Sequence, residues 1–82
     1  MENKFQILSP ISGVFYRTPS PDSPPYVEIG KQVRANDILC LVEQMKVFTE
    51  VEAGRDGIIR KILVEQEETV AEGQPLFEVE AL

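Results

Sequence analysis

The sequence predicts an all-β fold in which two four-stranded antiparallel sheets pack face to face. Short runs rich in branched and aromatic residues follow one another closely, with Gly and Pro turns between them. No stretch keeps a helical apolar period for more than about two turns, so helices should be absent or trivial. The 82 residues suit one domain, residues 1–82, with a modest core.

The predicted strands are β-prone runs bounded by turn residues: Phe5–Leu8, Val14–Tyr16, Tyr26–Glu28, Ile38–Val42, Val47–Val51, Ile58–Val64 and Leu76–Val79. Between the second and third runs, Thr18–Pro25 holds four of the six prolines. Proline cannot donate to a ladder, so this segment is predicted to be a stiff excursion outside the sheets. Gly54–Gly57 is predicted to be a tight turn, with glycines available for positive φ, and Glu65–Glu68 an acidic turn.

An internal repeat relates the two halves of the chain. At a shift of 37 residues, Val33–Glu43 lies on Val70–Glu80, with Val, Leu, Val and Glu identical. Nearer the start the shift is 44, because Gly13–Arg17 lies on Gly57–Lys61. The difference, 44 − 37 = 7, places seven extra residues in the first half, at about Thr18–Pro24. We therefore predict two similar half-domains related by an approximate twofold, with the excursion added only to the first.

Alternate residues from both halves should supply the core between the sheets. The predicted core residues are aliphatic: Val14, Val33, Leu39, Leu41, Val51, Ile59, Ile62, Val70, Leu76 and Val79. Cys40 lies in an apolar run, so it is predicted to be a small core residue.

The composition limits the functions open to the chain. Eight basic against fourteen acidic residues give a net charge of −6, so nucleic acids and membrane surfaces are not expected partners. No apolar run approaches the length of a membrane span and no basic start precedes one, so we expect a soluble, cytoplasmic protein. A single Cys excludes an internal disulfide, and one Cys without any His excludes the usual zinc sites. The lack of His also removes the commonest general base. We expect no metal and no catalysis by the chain alone.

The segment that joins the halves presents a lysine. Glu43 to Lys46 lie between the fourth and fifth runs, with no Gly, Asn or Pro to mark the turn. We predict a hairpin whose four-residue tip carries Lys46. The amine would be held out in water while strands fix the backbone on both sides, so a modifying enzyme could reach it. Position alone leaves open an ordinary exposed lysine.

The residues around Lys46 resemble the biotin attachment motif of biotin carboxyl carrier proteins, usually Glu-Ala-Met-Lys-Met. This chain keeps Glu43, Met45 and Lys46 but has Gln44 and Val47 at the other two positions. Further segments that look like the family's signature are Ser9-Pro10, Gly13 through Asp22, Glu28-Ile29-Gly30 and Asp37 through Cys40. The likeness covers about Leu8 to Val79 and implies a flattened, quasi-twofold β-sandwich with a thumb insertion in its first half.

The resemblance implies that biotin protein ligase joins biotin to Lys46 through an amide, and that Glu43, Met45 and Val47 help the ligase to choose it. The chain would then be a non-catalytic carrier that takes CO2 as carboxybiotin from a biotin carboxylase to a carboxyltransferase. The acceptor would be an acyl-CoA, with acetyl-CoA and fatty acid synthesis favoured. In the thumb, Thr18 would lie nearest the ureido ring of biotin.

Two other functions stay open for this fold. A lipoyl-type carrier usually has Asp-Lys at its hairpin, and Met45 before the lysine argues against it. An unmodified regulatory homologue that binds carboxylase subunits should have lost the lysine, and Lys46 is present.

Overall fold

The computed structural model describes residues 3–82, which form eight β-strands and no helix. The strands are β1 (Lys4–Leu8), β2 (Gly13–Tyr16), β3 (Gln32–Val33), β4 (Ile38–Gln44), β5 (Val47–Glu52), β6 (Gly57–Ile62), β7 (Thr69–Val70) and β8 (Pro75–Ala81). They build two antiparallel sheets, sheet A in the order β1-β8-β6-β3 and sheet B in the order β5-β4-β2-β7. The two sheets confirm the predicted β-sandwich. The domain measures 40 × 27 × 20 Å along its principal axes, so the sandwich is flattened. Residues 1 and 2 of the predicted domain lie outside the described residues.

The predicted twofold is confirmed, and it exchanges the two sheets. Replacing β1, β2, β3 and β4 by β5, β6, β7 and β8, and the reverse, converts the strand order of sheet A into that of sheet B. The starts of β3 and β7 are 37 residues apart (32 to 69), and those of β2 and β6 are 44 apart (13 to 57). Each half supplies two strands to each sheet, so neither half can bury its apolar faces without the other.

The core lies between the sheets and is centred on two fully buried aromatic rings, Phe15 of sheet B and Phe77 of sheet A. Their ring centroids are 5.9 Å apart. The predicted core residues that belong to this cluster are Val33, Leu39, Val51, Ile59, Val70, Leu76 and Val79. Cys40 is buried there as predicted, and Ile62 packs against the cluster while partly exposed.

One predicted core position is wrong, and a second is buried as predicted but lies outside the central cluster. Val14 is only half-buried, because its neighbour Phe15 takes the inward position on β2. Leu41 is buried but is not part of the core cluster. An irregularity in the β4–β5 ladder, a β-bulge, turns both Leu39 and Cys40 inward and moves Leu41 to the outer face of sheet B.

Two predicted strands also need correction. Tyr26–Glu28 is irregular, and the amide of Tyr26 donates to the carbonyl of Arg17 at 2.9 Å, which closes the base of the proline-rich excursion. The run predicted as Ile58–Val64 leaves the sheet after Ile62. The excursion itself forms no strand, as predicted, and we call Thr18–Pro24 the thumb.

Two glycines occupy twofold-related positions where neighbouring strands approach closely. A Cβ on Gly13 would overlap the carbonyl group of Glu43, and one on Gly57 would lie 2.7 Å from the carbonyl oxygen of Glu80. Gly57 is therefore needed for the close approach rather than for a positive φ. In the turn predicted at residues 54–57, only Gly54 has a positive φ, at 80°.

We expect Gly13→Ala and Gly57→Ala each to lower the free energy of unfolding by about 1–3 kcal/mol, because backbone atoms must move to admit the methyl group. Urea unfolding would measure the loss. Gly54→Asn is the control, since no atom lies within 4 Å of a Cβ there and Asn tolerates positive φ. Wild-type stability in both alanine variants would contradict the close approach.

The thiol of Cys40 is enclosed in the core, and this burial raises the pKa of Cys40 from 9.0 to about 12. The folded chain keeps a proton that the unfolded chain releases above pH 9. The stability contributed by the protonated thiol is therefore complete below pH 9 and is lost as the pH rises toward 12.

We expect wild-type protein to lose stability more steeply than Cys40→Ala above pH 9. Urea unfolding at a series of pH values would measure the free energy of unfolding of both proteins. Subtracting one from the other cancels the contributions of titratable groups that both proteins share. We also expect the native thiol to resist iodoacetamide at neutral pH. Equal alkylation rates for folded and urea-unfolded chains would show that the thiol is accessible.

Candidate functional site

Lys46 lies at the tip of the β4–β5 hairpin, in a turn of only two residues. The ladder continues to Gln44 opposite Val47, so Met45 and Lys46 alone form the turn, with φ of 50° and 66°. Positive φ at both central residues is typical of type I′ turns, whose twist matches that of the flanking strands. The predicted four-residue tip is thus too long, because Glu43 and Gln44 belong to β4.

The turn holds two non-glycine residues in a conformation that costs each roughly 1–2 kcal/mol. Such strain persists only where the surrounding structure enforces it, and here the paired strands do so. Met45 is 92% exposed and Val47 is 65% exposed, so the apolar side chains beside the lysine face water. The Lys46 backbone is fixed while its side chain is exposed, as the sequence predicts.

Glu43 lies on the outer face of sheet B, where Tyr16 holds it. The hydroxyl of Tyr16 donates to Oε1 of Glu43 at 3.1 Å, and the Tyr16 ring packs on Phe48 with centroids 5.8 Å apart. The hydrogen bond to Glu43, then desolvation and the charges of Glu43 and Glu67, raise the pKa of Tyr16 above its ordinary 10.0. The hydroxyl therefore stays protonated at neutral pH and continues to donate.

The thumb and sheet B enclose a groove of about 450 Å³. Tyr16 and Phe48 line it from the sheet, Thr18 and Pro21 from the thumb, and Gln66 from the β6–β7 turn. Phe48 lies two residues after the lysine, so the groove adjoins the hairpin that presents the amine. The structure thus places the residues predicted at the site in two adjoining places, with Glu43, Met45, Lys46 and Val47 on the hairpin and Thr18 in the groove.

The aromatic pair of Tyr16 and Phe48 was not predicted from the sequence, although the internal repeat contained the signal. The twofold counterparts of the site residues on sheet A are charged: Arg60 for Tyr16, Glu80 for Glu43 and Lys4 for Phe48. Nε of Arg60 donates to Glu80 at 2.7 Å, in the position of the Tyr16–Glu43 hydrogen bond. An ion pair on sheet A is replaced by an aromatic surface on sheet B, so the fold itself does not require the aromatic rings.

Two further features are absent from residues 3–82, the part of the chain that the structure describes. This range contains no helix that could span a membrane. No group of three or more cysteine or acidic side chains in the same range could hold a metal ion.

A two-sheet sandwich that holds an exposed lysine on a two-residue turn defines a small β domain that presents an amine to solvent from a fixed hairpin. Residues 5–79 match the family described as "Biotin-requiring enzyme", and the chain belongs to this family. It is 47% identical over 73 residues to the biotin carboxyl carrier protein of acetyl-CoA carboxylase from Pseudomonas aeruginosa, covering 89% of this chain and 47% of that protein.

A chloroplast relative agrees with this assignment, and a solved structure agrees with the fold. The chain is 41% identical over 71 residues to the biotin carboxyl carrier protein of acetyl-CoA carboxylase 2 of Arabidopsis thaliana, covering 87% of this chain and 28% of that protein. It therefore spans less than half the length of both relatives. A single-chain, multi-domain long-chain acyl-CoA carboxylase superposes with a TM-score of 0.82 at 18% identity, over 96% of this chain and 7% of that chain, which shows the fold.

Proposed function

We propose that this chain is the biotin-carrying domain of a multi-component carboxylase, with residues 1–82 forming one domain and biotin joined to Lys46. The observation that carries the proposal is the geometry of the Glu-x-Met-Lys segment. Its first two residues end β4, and Met45 and Lys46 form a two-residue turn that exposes the lysine. Membership of the biotin-requiring family supports biotin as the group attached.

The chain contributes the Lys46 amine and presents it to a biotin protein ligase, which forms an amide with the carboxyl group of biotin. Three neighbours would let the ligase distinguish this lysine from the others. Met45 and Val47 offer exposed apolar side chains whose burial in a partner is favourable. Glu43 offers a carboxylate whose orientation is held by Tyr16.

The groove beside the hairpin fits the ring system of biotin in size and chemistry. A small-molecule site is typically concave and mostly apolar, with a few polar groups that set orientation. Tyr16, Phe48 and Pro21 supply apolar walls, and the Thr18 hydroxyl supplies a polar group for the ureido ring. When bound, biotin supplies a ring nitrogen that carries a carboxyl group between active sites. The thumb residues would shelter and orient that ring while the domain moves.

The partners of such a domain are a biotin carboxylase, which uses ATP and bicarbonate, and a carboxyltransferase acting on an acyl-CoA. The names of the relatives favour acetyl-CoA. Tethering raises the effective concentration of biotin at both active sites, so the carrier needs no catalytic group of its own. We also propose that the domain acts in the cytoplasm. Its net charge of −6 disfavours nucleic acid or a membrane surface as a partner.

Intact-mass measurement after incubation with a biotin protein ligase, ATP and biotin tests the function. We expect one biotin-sized increase. A parallel sample receives a lipoate ligase, ATP and lipoate, and an increase only in that sample would make the chain a lipoyl carrier. No increase in either sample, with folded protein shown by circular dichroism, would favour an unmodified homologue that binds carboxylase subunits.

A further inference from the structure

We propose that Gln66 is a positioning residue that holds the thumb over the groove and orients Thr18 toward the bound ring. The inference rests on the proposed function, because the ring is that of biotin on Lys46. Gln66 comes from the second half of the chain, whereas the thumb is an insertion in the first half.

The side-chain amide of Gln66 makes two contacts, one at the base of the thumb and one with its first residue. Its Oε1 accepts a hydrogen bond from the backbone N–H of Arg17 at 2.6 Å, at the residue where the thumb leaves β2. Its Nε2 lies 3.5 Å from Oγ1 of Thr18, as the donor of a longer contact. The short bond holds the residue before the thumb, and the longer, weaker contact reaches Thr18, the first residue of the thumb.

The support for Gln66 is itself fixed to the sandwich. The next residue, Glu67, has a positive φ of 66° and donates its N–H to the carbonyl of Phe15 at 2.7 Å. Glu68 closes the same turn, since its N–H donates to the Glu65 carbonyl at 3.1 Å and its Oε1 accepts the Glu65 N–H at 3.0 Å. The turn is thus anchored to β2, the strand from which the thumb departs.

The thumb has few other hydrogen bonds. Among the described residues, they are either internal to the thumb or lie at its base. The Ser23 N–H donates to the Ser20 carbonyl at 3.1 Å, and the two serine hydroxyls are 2.7 Å apart. At the base of the loop, the Tyr26 N–H donates to the Arg17 carbonyl at 2.9 Å and Nη2 of Arg17 donates to the Val27 carbonyl at 3.4 Å. Gln66 is therefore the polar link between Thr18 and the body of the sandwich.

The internal twofold provides an independent comparison. The counterpart of Gln66, 37 residues earlier, is Ile29, whose side chain is 65% exposed. The half that faces Ile29 has no insertion to support. An apolar, exposed residue at this position is compatible with the same turn, so the fold does not require a glutamine, and the glutamine occurs where a thumb must be held.

Two substitutions separate the two contacts. Gln66→Leu removes both, whereas Gln66→Glu keeps an oxygen to accept the Arg17 N–H and replaces the Nε2 donor to Thr18 by an acceptor. The Thr18 hydroxyl would then have to donate to the new carboxylate, and this changes its orientation. Gln32→Leu makes the same change at an exposed position of β3 and is the matched control. In unmodified protein, we expect hydrogen exchange of the Arg17 amide to be about tenfold faster in Gln66→Leu and unchanged in Gln66→Glu and Gln32→Leu.

The second measurement uses protein biotinylated on Lys46. In the wild type and in Gln32→Leu, we expect nuclear Overhauser effects between the biotin ring and Thr18, and a shift of the Thr18 amide signal on biotinylation. We expect both to be lost in Gln66→Leu and weakened in Gln66→Glu. Wild-type Arg17 exchange together with wild-type Thr18 signals in Gln66→Leu would overturn the proposal. If the ligase leaves Lys46 unmodified, the proposed function fails, while the exchange of Arg17 still decides whether Gln66 holds the thumb.

Discussion

We expect Lys46→Arg to stay folded and to gain no mass when it is incubated with a biotin protein ligase, ATP and biotin. Arginine preserves the positive charge and a long side chain at the tip, so the hairpin should persist. Its guanidinium does not lose a proton in proteins and cannot act as the attacking amine. We expect the loss of all detectable modification, measured by intact mass, with circular dichroism as the check on folding.

The other lysines in the sequence provide the matched controls. Lys4 and Lys61 lie within ion-pair distance of Glu78, at 3.7 and 4.0 Å, and Nζ of Lys31 donates to the Tyr26 carbonyl at 3.4 Å. None of the three lies in a two-residue turn. We expect Lys31→Arg to be modified like the wild type. A biotin-sized increase in Lys46→Arg would place the attachment elsewhere, and peptide mapping would then identify the residue.

The architecture could be predicted because the same packing problem occurs twice in the chain. Each half needs a glycine where strands approach, and apolar residues where a strand faces the core, so Gly13 recurs at Gly57 and Val33 recurs at Val70. A repeat of this kind predicts both the twofold and the place of the insertion. The exchange of strands between the sheets could not be predicted, because it depends on pairing between residues far apart in sequence.

The inward or outward direction of individual residues was harder to predict. Alternation assigns Leu39 and Leu41 to one face, but the bulge in β4 sends them to opposite faces. The hairpin tip was also mispredicted, since a type I′ turn usually contains Asn or Gly and this one is built from Met45 and Lys46. In both cases pairing with a neighbouring strand overrides the local preference.

One part of the candidate site, the hairpin, could also be predicted from the sequence, whereas the other part, the groove, could not. The Glu-x-Met-Lys segment is contiguous, so the resemblance identified the lysine and its neighbours directly. The groove is assembled from separate strands and loops, and the bond between Arg17 and Gln66 joins residues 49 apart. No local pattern marks such a contact, and only the departure of Tyr16 and Phe48 from their charged counterparts indicates that sheet B differs from sheet A.

The largest loss of stability is expected for Phe15→Ala. Phe15 is fully buried and its ring contacts Phe77 across the two sheets, so removing the ring leaves a cavity where the halves meet. Truncation of a buried Phe costs about 3–5 kcal/mol. Typical domains have a total stability of roughly 5–15 kcal/mol, and one this small belongs near the lower end. We expect urea unfolding to show a variant close to its unfolding midpoint without denaturant.

Phe48→Ala is the matched control, because Phe48 lies on the outer face of sheet B and is 54% exposed. We expect it to lose less than about 1 kcal/mol, since half of its ring is already in water.

The pair also separates the two roles of aromatic residues on sheet B. Phe15 supports the sandwich that positions the hairpin, so its loss should reduce modification of Lys46 through unfolding, and biotinylation should recover when a stabilising osmolyte restores the fold. Equal stability losses in the two variants would contradict the assignment of Phe15 to the core and Phe48 to the groove.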